Sequence, residues 1–135
     1  METTLAHIQI NVKAENLGFY KELMTFLGWP AWVDEATIFG AGDKHGASVW
    51  FVSDGMKETA NDYDGRGMNH LAFGASSVAE VDESAAYLRA KGVALLFETP
   101  RHRPEFASGP DNTYYQVMFE SPDNVLFEVV YSGPK

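Results

Sequence analysis

The segment AHIQINVKAENLGFYKELMTFLGW, residues 6–29, decides how the rest of the chain is interpreted. Residues 6–12 alternate between apolar and polar side chains, which indicates a strand with one buried and one polar face. Residues 15–27 then carry apolar side chains at helical spacing, and Gly28 followed by Pro30 ends the helix. The apolar helical residues are Leu17, Tyr20, Leu23, Met24 and Leu27.

The second half of the chain repeats this pattern in NHLAFGASSVAEVDESAAYLRAKG, residues 69–92. A strand is predicted over 68–75, followed by a helix that Ser76 or Ser77 caps and that extends to about Ala90. Further short strands are predicted at 36–39 and 47–52, near 31–33, and at 93–97, 113–119 and 125–131. The simplest account is one α+β domain over 1–135 with two βαβββ modules, at about 1–55 and 66–135.

Composition excludes several classes of protein. The chain has 135 residues, a formal net charge of −9 and no cysteine, so a nucleic-acid partner, a disulfide framework and a thiolate site are not expected. No apolar run approaches the roughly 20 residues of a membrane span, and the N-terminus has no basic stretch followed by an apolar one. We therefore expect no membrane association and a cytoplasmic location.

Three polar residues lie on predicted strands whose opposite faces are apolar, namely His7, His70 and Glu128. Taken singly, a strand histidine is usually hydrogen-bonded or exposed, and Glu128 can simply pair with an arginine. Together they are able to converge on the sheet face that the helices leave uncovered. Two imidazoles and one carboxylate suit Fe(II), Mn(II), Zn(II) or Ni(II), so the pattern predicts a divalent metal site.

The segments quoted above at 6–29 and 69–92 are followed by FESPDNVLFEVVY at 119–131. In their order and spacing, these three segments resemble the vicinal-oxygen-chelate superfamily of glyoxalases, bleomycin-resistance proteins and dioxygenases. The resemblance covers nearly the whole chain. It implies that the two modules form a curved, barrel-like mixed sheet with the helices outside. It also implies that the metal ligands are His7, His70 and Glu128, one on the first strand of each half and one on the last strand.

The sequence departs from the glyoxalase I pattern at one position. Those members have a fourth ligand on the last strand of the first half, where this chain has Trp50. Three ligands resemble the arrangement of extradiol dioxygenases and fosfomycin-resistance enzymes. Trp50 then either forms the floor of a substrate pocket, where it stacks on a flat substrate, or belongs to the core.

The segment at 98–119 contributes the other predicted site residues. Arg103 is expected to bind an anionic substrate, as are Arg101 and His102, although a solvated loop is the simpler assignment for Arg101. Strand parity places Tyr114, Gln116 and Met118 on the face that carries the polar residues. We therefore predict catalytic roles for Glu128 and Tyr114, and substrate binding by Trp50, Arg103 and Gln116.

Two functions agree with this pattern. The first is a metal-dependent lyase, isomerase or ring-cleaving dioxygenase that acts on a small oxygen-chelating substrate. The second is a metal-free protein that binds a small aromatic or cationic compound, as bleomycin-resistance members do. The resemblance also implies a homodimer, in which His7 of one chain joins His70 and Glu128 of the other.

Overall fold

The computed structural model describes all residues, Met1–Lys135, and divides into two compact units, Met1–Ala60 and Asn61–Lys135. Each unit consists of a strand, a helix and three further strands, with a four-stranded mixed sheet. In each sheet the first strand lies at one edge, parallel to the last strand of its unit. The predicted α+β class and the two βαβββ modules are confirmed.

The first unit contains β1 (His7–Asn11), α1 (Leu17–Phe26), β2 (Ala31–Asp34), β3 (Ile38–Gly42) and β4 (Ser48–Val52). A short 3-10 helix, Ala14–Asn16, precedes α1. The sheet order is β1-β4-β3-β2. The buried face of α1 packs on this sheet, where the ring of Tyr20 stacks on Phe51 with centroids 4.4 Å apart. The polar face of β1 is thereby left on the other side of the sheet.

The second unit contains β5 (Leu71–Gly74), α2 (Val78–Ala90), β6 (Leu95–His102), β7 (Asn112–Glu120) and β8 (Leu126–Pro134). A short 3-10 helix, Pro104–Phe106, follows β6, and the sheet order is β5-β8-β7-β6. The side chain of Ser77 accepts a hydrogen bond from the Glu80 backbone N–H, so Ser77 is the cap of α2. The Glu80 carboxylate in turn accepts from the Ser76 N–H, and its hydrogen bonding to Ser76 lowers the pKa of the carboxyl group.

Several element boundaries differ from the prediction. The strand predicted over 68–75 is reduced to β5, because its parallel partner β8 begins at Leu126 and the ladder starts with Leu71 opposite Phe127. His70 therefore directly precedes the strand. Conversely, β8 extends to Pro134, since it stays paired with β7 as far as Asn112.

The segment predicted as a loop after residue 97 continues as strand β6, which places Arg101 opposite Gln116 and His102 opposite Tyr115. Between the pairs Leu96–Met118 and Arg101–Gln116, four residues of β6 lie opposite one residue of β7. In this bulge Phe97 and Glu98 both have positive φ, a conformation that side chains disfavour. Arg101 is thus a strand residue rather than part of a solvated loop.

None of the helices has both the length and the apolar character needed to cross a membrane.

Candidate functional site

The predicted metal ligand Glu128 lies at the centre of the second sheet, where β8 pairs with β5 on one side and β7 on the other. It is only 1% exposed, although its neighbours on the strand are apolar. Both carboxylate oxygens have partners. The Tyr114 hydroxyl donates to Oε1 at 2.7 Å, and Nε2 of His70 lies 3.0 Å from Oε2. These contacts offset the cost of burying a carboxylate.

The orientation of His70 is fixed by Asn69. The Asn69 amide nitrogen donates to the Tyr63 carbonyl at 2.9 Å, which turns Oδ1 of Asn69 toward the ring. That oxygen lies 2.8 Å from Nδ1 of His70, so Nδ1 carries the hydrogen and donates it. In a neutral imidazole the lone pair of Nε2 then faces Oε2 of Glu128. Two acceptor atoms at 3.0 Å require a proton or a cation between them.

The geometry of this pair suits a divalent metal ion. Adjacent ligands that bind an ion at about 2.1 Å and at right angles to each other are separated by about 3.0 Å. The distance between Nε2 of His70 and Oε2 of Glu128 matches that value. Asn69 and Tyr114 hold the remaining nitrogen and oxygen, as outer partners of metal ligands commonly do. The spacing of His70 and Glu128 is therefore compatible with two adjacent ligands of one ion, and it is equally the spacing of a hydrogen-bonded pair.

Tyr114 lies on β7 beside Glu128, as strand parity predicts. Burial, followed by the hydrogen bond to Glu128 and the negative charge of that carboxylate, raises the pKa of Tyr114 to about 12. The charge of Arg103 acts in the opposite direction. The phenol is consequently a neutral donor to Glu128 over the physiological range, and it orients the carboxylate.

A cavity of about 520 Å³ opens over this group, and every residue that lines it belongs to the second unit. Its polar lining includes the predicted substrate-binding residues Arg103 and Gln116, beside His70, Tyr114 and Glu128. Its apolar walls are formed by Phe97, Phe106, Met118 and Leu126. The second unit thus brings together five of the predicted site residues.

In the first unit, His7 is exposed at the start of β1, and Gln9 pairs in register with Trp50. In the second unit, Ala72 pairs with Glu128, and His70 lies two residues before Ala72. The two modules therefore place His7 and Trp50 in the same register as His70 and Glu128. This register supports the assignment of Trp50 to the position of the missing fourth ligand.

Trp50 is half-buried, and its indole N–H donates to the Ser48 hydroxyl. The indole lies flat on the sheet over Gly40, where a Cβ atom would come within 2.5 Å of the ring. Trp32, which is 52% exposed, lies over Gly42 in the same way. The glycines of β3 thus leave room for two flat indole rings.

The sequence did not indicate Asn69, Tyr63, Phe97 or Phe106 as site residues. Asn69 alternates with His70 in a strand pattern, which suggests opposite faces, and only the early end of β5 brings the two side chains together. Phe97 reaches the cavity because of the bulge in β6, which no glycine signals. No group of three or more His, Asp and Glu side chains that could hold a metal ion occurs in the chain.

Neither a protein-family model nor a curated protein sequence matches the chain. Solved structures do match it. A candidate glyoxalase from Bacillus halodurans is 29% identical over 94% of both chains, with a TM-score of 0.76. A glyoxalase/bleomycin resistance protein from Albidiferax ferrireducens T118 is 19% identical over 94% of this chain and 98% of its own, with a TM-score of 0.73.

The fosfomycin resistance protein FosX from Listeria monocytogenes, in a crystal structure with Mn(II) and sulfate, is 20% identical over 100% of this chain and 93% of its own. Its TM-score is 0.67. The chain therefore has the vicinal-oxygen-chelate fold, which confirms the resemblance predicted from the sequence.

Proposed function

We propose that this protein is a divalent-metal-dependent enzyme that acts on a small oxygen-chelating substrate by lyase, isomerase or ring-cleaving dioxygenase chemistry. The observation that supports this proposal is the pair formed by Nε2 of His70 and Oε2 of Glu128, which are spaced as adjacent ligands of one ion. A bound divalent ion would polarise the substrate oxygens and stabilise the negative charge that develops on them.

The chain's own residues have separate roles in this proposal. His70 and Glu128 hold the ion, Asn69 fixes the tautomer of His70, and Tyr114 orients Glu128. The cavity above them is open to solvent and has apolar walls, and Arg103 and Gln116 contact the substrate. Trp50 is proposed to stack on a flat substrate. Mn(II) in FosX agrees with a divalent ion at this fold but does not identify the metal here.

Catalytic metal sites commonly have three protein ligands, so a third is expected in addition to His70 and Glu128. We propose that it is His7 of a second copy of the chain in a homodimer. The exposure of His7, and its register equivalence with His70, support this assignment. The cytoplasmic location stays a prediction from the sequence.

The second candidate is a metal-free protein that binds an aromatic or cationic compound. The flat, half-buried indole of Trp50 and the exposed indole of Trp32 favour this function, because such rings present stacking surfaces. Metal content separates the two candidates. The enzyme requires stoichiometric metal, whereas the binding protein does not.

Metal analysis of protein purified without chelator is therefore the decisive experiment. We expect about one divalent ion per chain in the wild type and none in Glu128→Ala, because the anionic ligand supplies most of the charge that neutralises the ion. Glu98→Ala removes a carboxylate that is 88% exposed and should retain the ion.

Thermal unfolding of the metal-free forms provides the control. If Glu128 serves only as the hydrogen-bonding partner of Tyr114 and His70, Glu128→Ala leaves the partly buried Tyr114 hydroxyl without its acceptor and lowers the free energy of unfolding by about 1–3 kcal/mol. Unchanged metal content in Glu128→Ala would refute the ligand assignment. A wild type that never binds metal would favour the metal-free function.

A further inference from the structure

The amide of Gln116 is a buried donor without an acceptor. Gln116 lies on β7 between Tyr114 and Met118 and is only 3% exposed, yet its Nε2 has no hydrogen-bond partner. The side chain nevertheless lines the cavity that contains Glu128. Leaving a buried N–H group unpaired is unfavourable, so a native structure normally pairs such a group with protein, water or ligand. The Gln116 amide therefore indicates a hydrogen-bond acceptor on whatever fills the cavity.

Arg103 presents its guanidinium to the same cavity and shares its charge with Glu105. Its Nε donates to Glu105 at 2.6 Å, and its guanidinium carbon lies 4.7 Å from the centroid of the Phe106 ring. Phe106 also contacts Tyr114 edge to face. These contacts hold the guanidinium in place while they occupy one of its five N–H groups. The others are able to form the paired hydrogen bonds with which arginine binds carboxylates.

The walls of the cavity are apolar next to these two donors. Phe97 projects from the strained bulge of β6 and is 52% exposed, and Met118 and Leu126 complete the wall. Residues with unfavourable φ angles persist where the surrounding structure enforces them, often at ligand sites. The bulge therefore places a large apolar ring beside the donors, where it would contact the body of a ligand.

We propose that Gln116 and Arg103 bind the carboxylate of a small anionic substrate whose apolar body packs against Phe97, Met118 and Leu126. This inference rests on the proposed function, because the reacting oxygens of the same molecule would bind the ion held by His70 and Glu128. The substrate class is thus an apolar carboxylic acid with further oxygen atoms, rather than a neutral or cationic compound.

The test uses benzoate and benzamide, which share size and shape but differ in charge. Binding is measured by NMR titration of the nitrogen-15-labelled protein, both as purified and after removal of metal by a chelator. The metal-free arm ensures that binding to the ion itself does not account for the result. We expect benzoate to bind at least about 10-fold more tightly than benzamide in both arms, because hydrogen bonds to charged groups are stronger.

Two variants identify the residues responsible. Gln116→Leu removes the amide donor, and we expect it to weaken benzoate by about 10-fold. Arg103→Gln should remove most of the preference for benzoate over benzamide. Arg89→Gln is the matched control, since it changes the net charge equally on the last turn of α2 and should leave benzoate binding unchanged.

The neighbouring strand offers an alternative partner for Gln116, because Arg101 lies directly opposite and its Nε is also buried and unpaired. If the amide oxygen of Gln116 accepted a hydrogen bond from Arg101, Gln116→Leu would lower the melting temperature and leave benzoate binding unchanged. That result would overturn the inference. Equal binding of benzoate and benzamide, or an Arg103→Gln variant that keeps the preference, would do the same.

Metal content measured on the same samples separates this inference from the proposed function. Gln116→Leu and Arg103→Gln should keep the ion that Glu128→Ala loses. If benzoate does not bind while the metal results hold, only the carboxylate site is wrong. If benzoate binds as expected but no variant or wild type contains metal, the carboxylate site stands and the metal-dependent function fails.

Discussion

At the scale of single residues, the site depends on how Glu128 is held. A buried carboxylate normally needs partners for both oxygens, and here Tyr114 and His70 supply one contact each. The tyrosine is a fixed neutral donor, whereas the histidine contact requires a shared proton or cation. Removal of Tyr114 and removal of His70 should therefore have different consequences.

Tyr114→Phe removes the hydrogen bond to Oε1 of Glu128 and leaves the ring in place. Outer partners that orient a ligand commonly change metal affinity by about 10–100-fold, so we expect a loss of that size. The measurement is competition for the metal with a chelator of known affinity. Tyr115→Phe is the control, because its hydroxyl donates to Asp82 at 2.6 Å instead and should not affect the metal.

The same variant tests the ionisation of the phenol. The pKa of Tyr114 is raised from 10.0 to about 12, so the folded protein stabilises the protonated phenol. This contribution is fully present below about pH 10 and is lost as the pH rises toward about 12. Absorbance titration of Tyr114→Phe should lack one late-titrating tyrosine. An unchanged late phase, together with unchanged metal affinity, would contradict the orienting role.

At the scale of elements, the sequence predicts the β-α-β-β-β order of each half well, because periodicity and helix caps are local signals. Strand parity also places Tyr114, Gln116 and Glu128 correctly on one face. The bulge of β6 is not predictable in this way, since Phe97 and Glu98 carry no signal for positive φ. Pairing with β7 imposes that conformation, and with it the contact of Phe97 with the cavity.

Thr99 stabilises the bulge. Its hydroxyl donates to the Leu96 carbonyl at 2.7 Å and accepts from the Met118 N–H at 2.9 Å, so it replaces ladder bonds that the bulge interrupts. Thr99→Val keeps the shape but leaves the buried Met118 N–H unpaired. We expect the free energy of unfolding to fall by about 1–3 kcal/mol, measured by urea denaturation.

The control for Thr99 is Thr37→Val, which makes the same chemical change at an exposed position and should shift the free energy of unfolding by less than about 0.5 kcal/mol. Equal effects of the two substitutions would show that the Thr99 hydroxyl does not support the bulge. We also expect Thr99→Val to bind benzoate more weakly, because the bulge contributes Phe97 to the apolar wall of the cavity.

At the scale of the whole molecule, each unit repeats one topology, yet the two are chemically different. The second unit has His70 and Glu128 in contact, whereas the first has His7 opposite Ser48, with Trp50 two residues further along β4. One module thus offers a histidine and a carboxylate, and the other offers a histidine and an aromatic surface. In the proposed dimer His7 supplies the third ligand, and a symmetric dimer would form two such sites.

The dimer proposal is tested by mixing two variants that each lack one of the proposed metal ligands. His7→Ala and Glu128→Ala should each bind little metal alone. In a dimer whose sites combine His7 of one chain with His70 and Glu128 of the other, a mixed dimer contains one intact site and one site that lacks both residues. After unfolding and refolding of an equal mixture, random pairing in a symmetric dimer should restore about a quarter of the wild-type metal content.

Light scattering should give the mass of two chains. If each chain formed its own site, mixing would restore nothing, and a monomer mass at micromolar concentration would refute the dimer itself. A His7→Ala variant that keeps its full metal content would instead remove His7 from the ligand set and leave His70 and Glu128 to be tested alone.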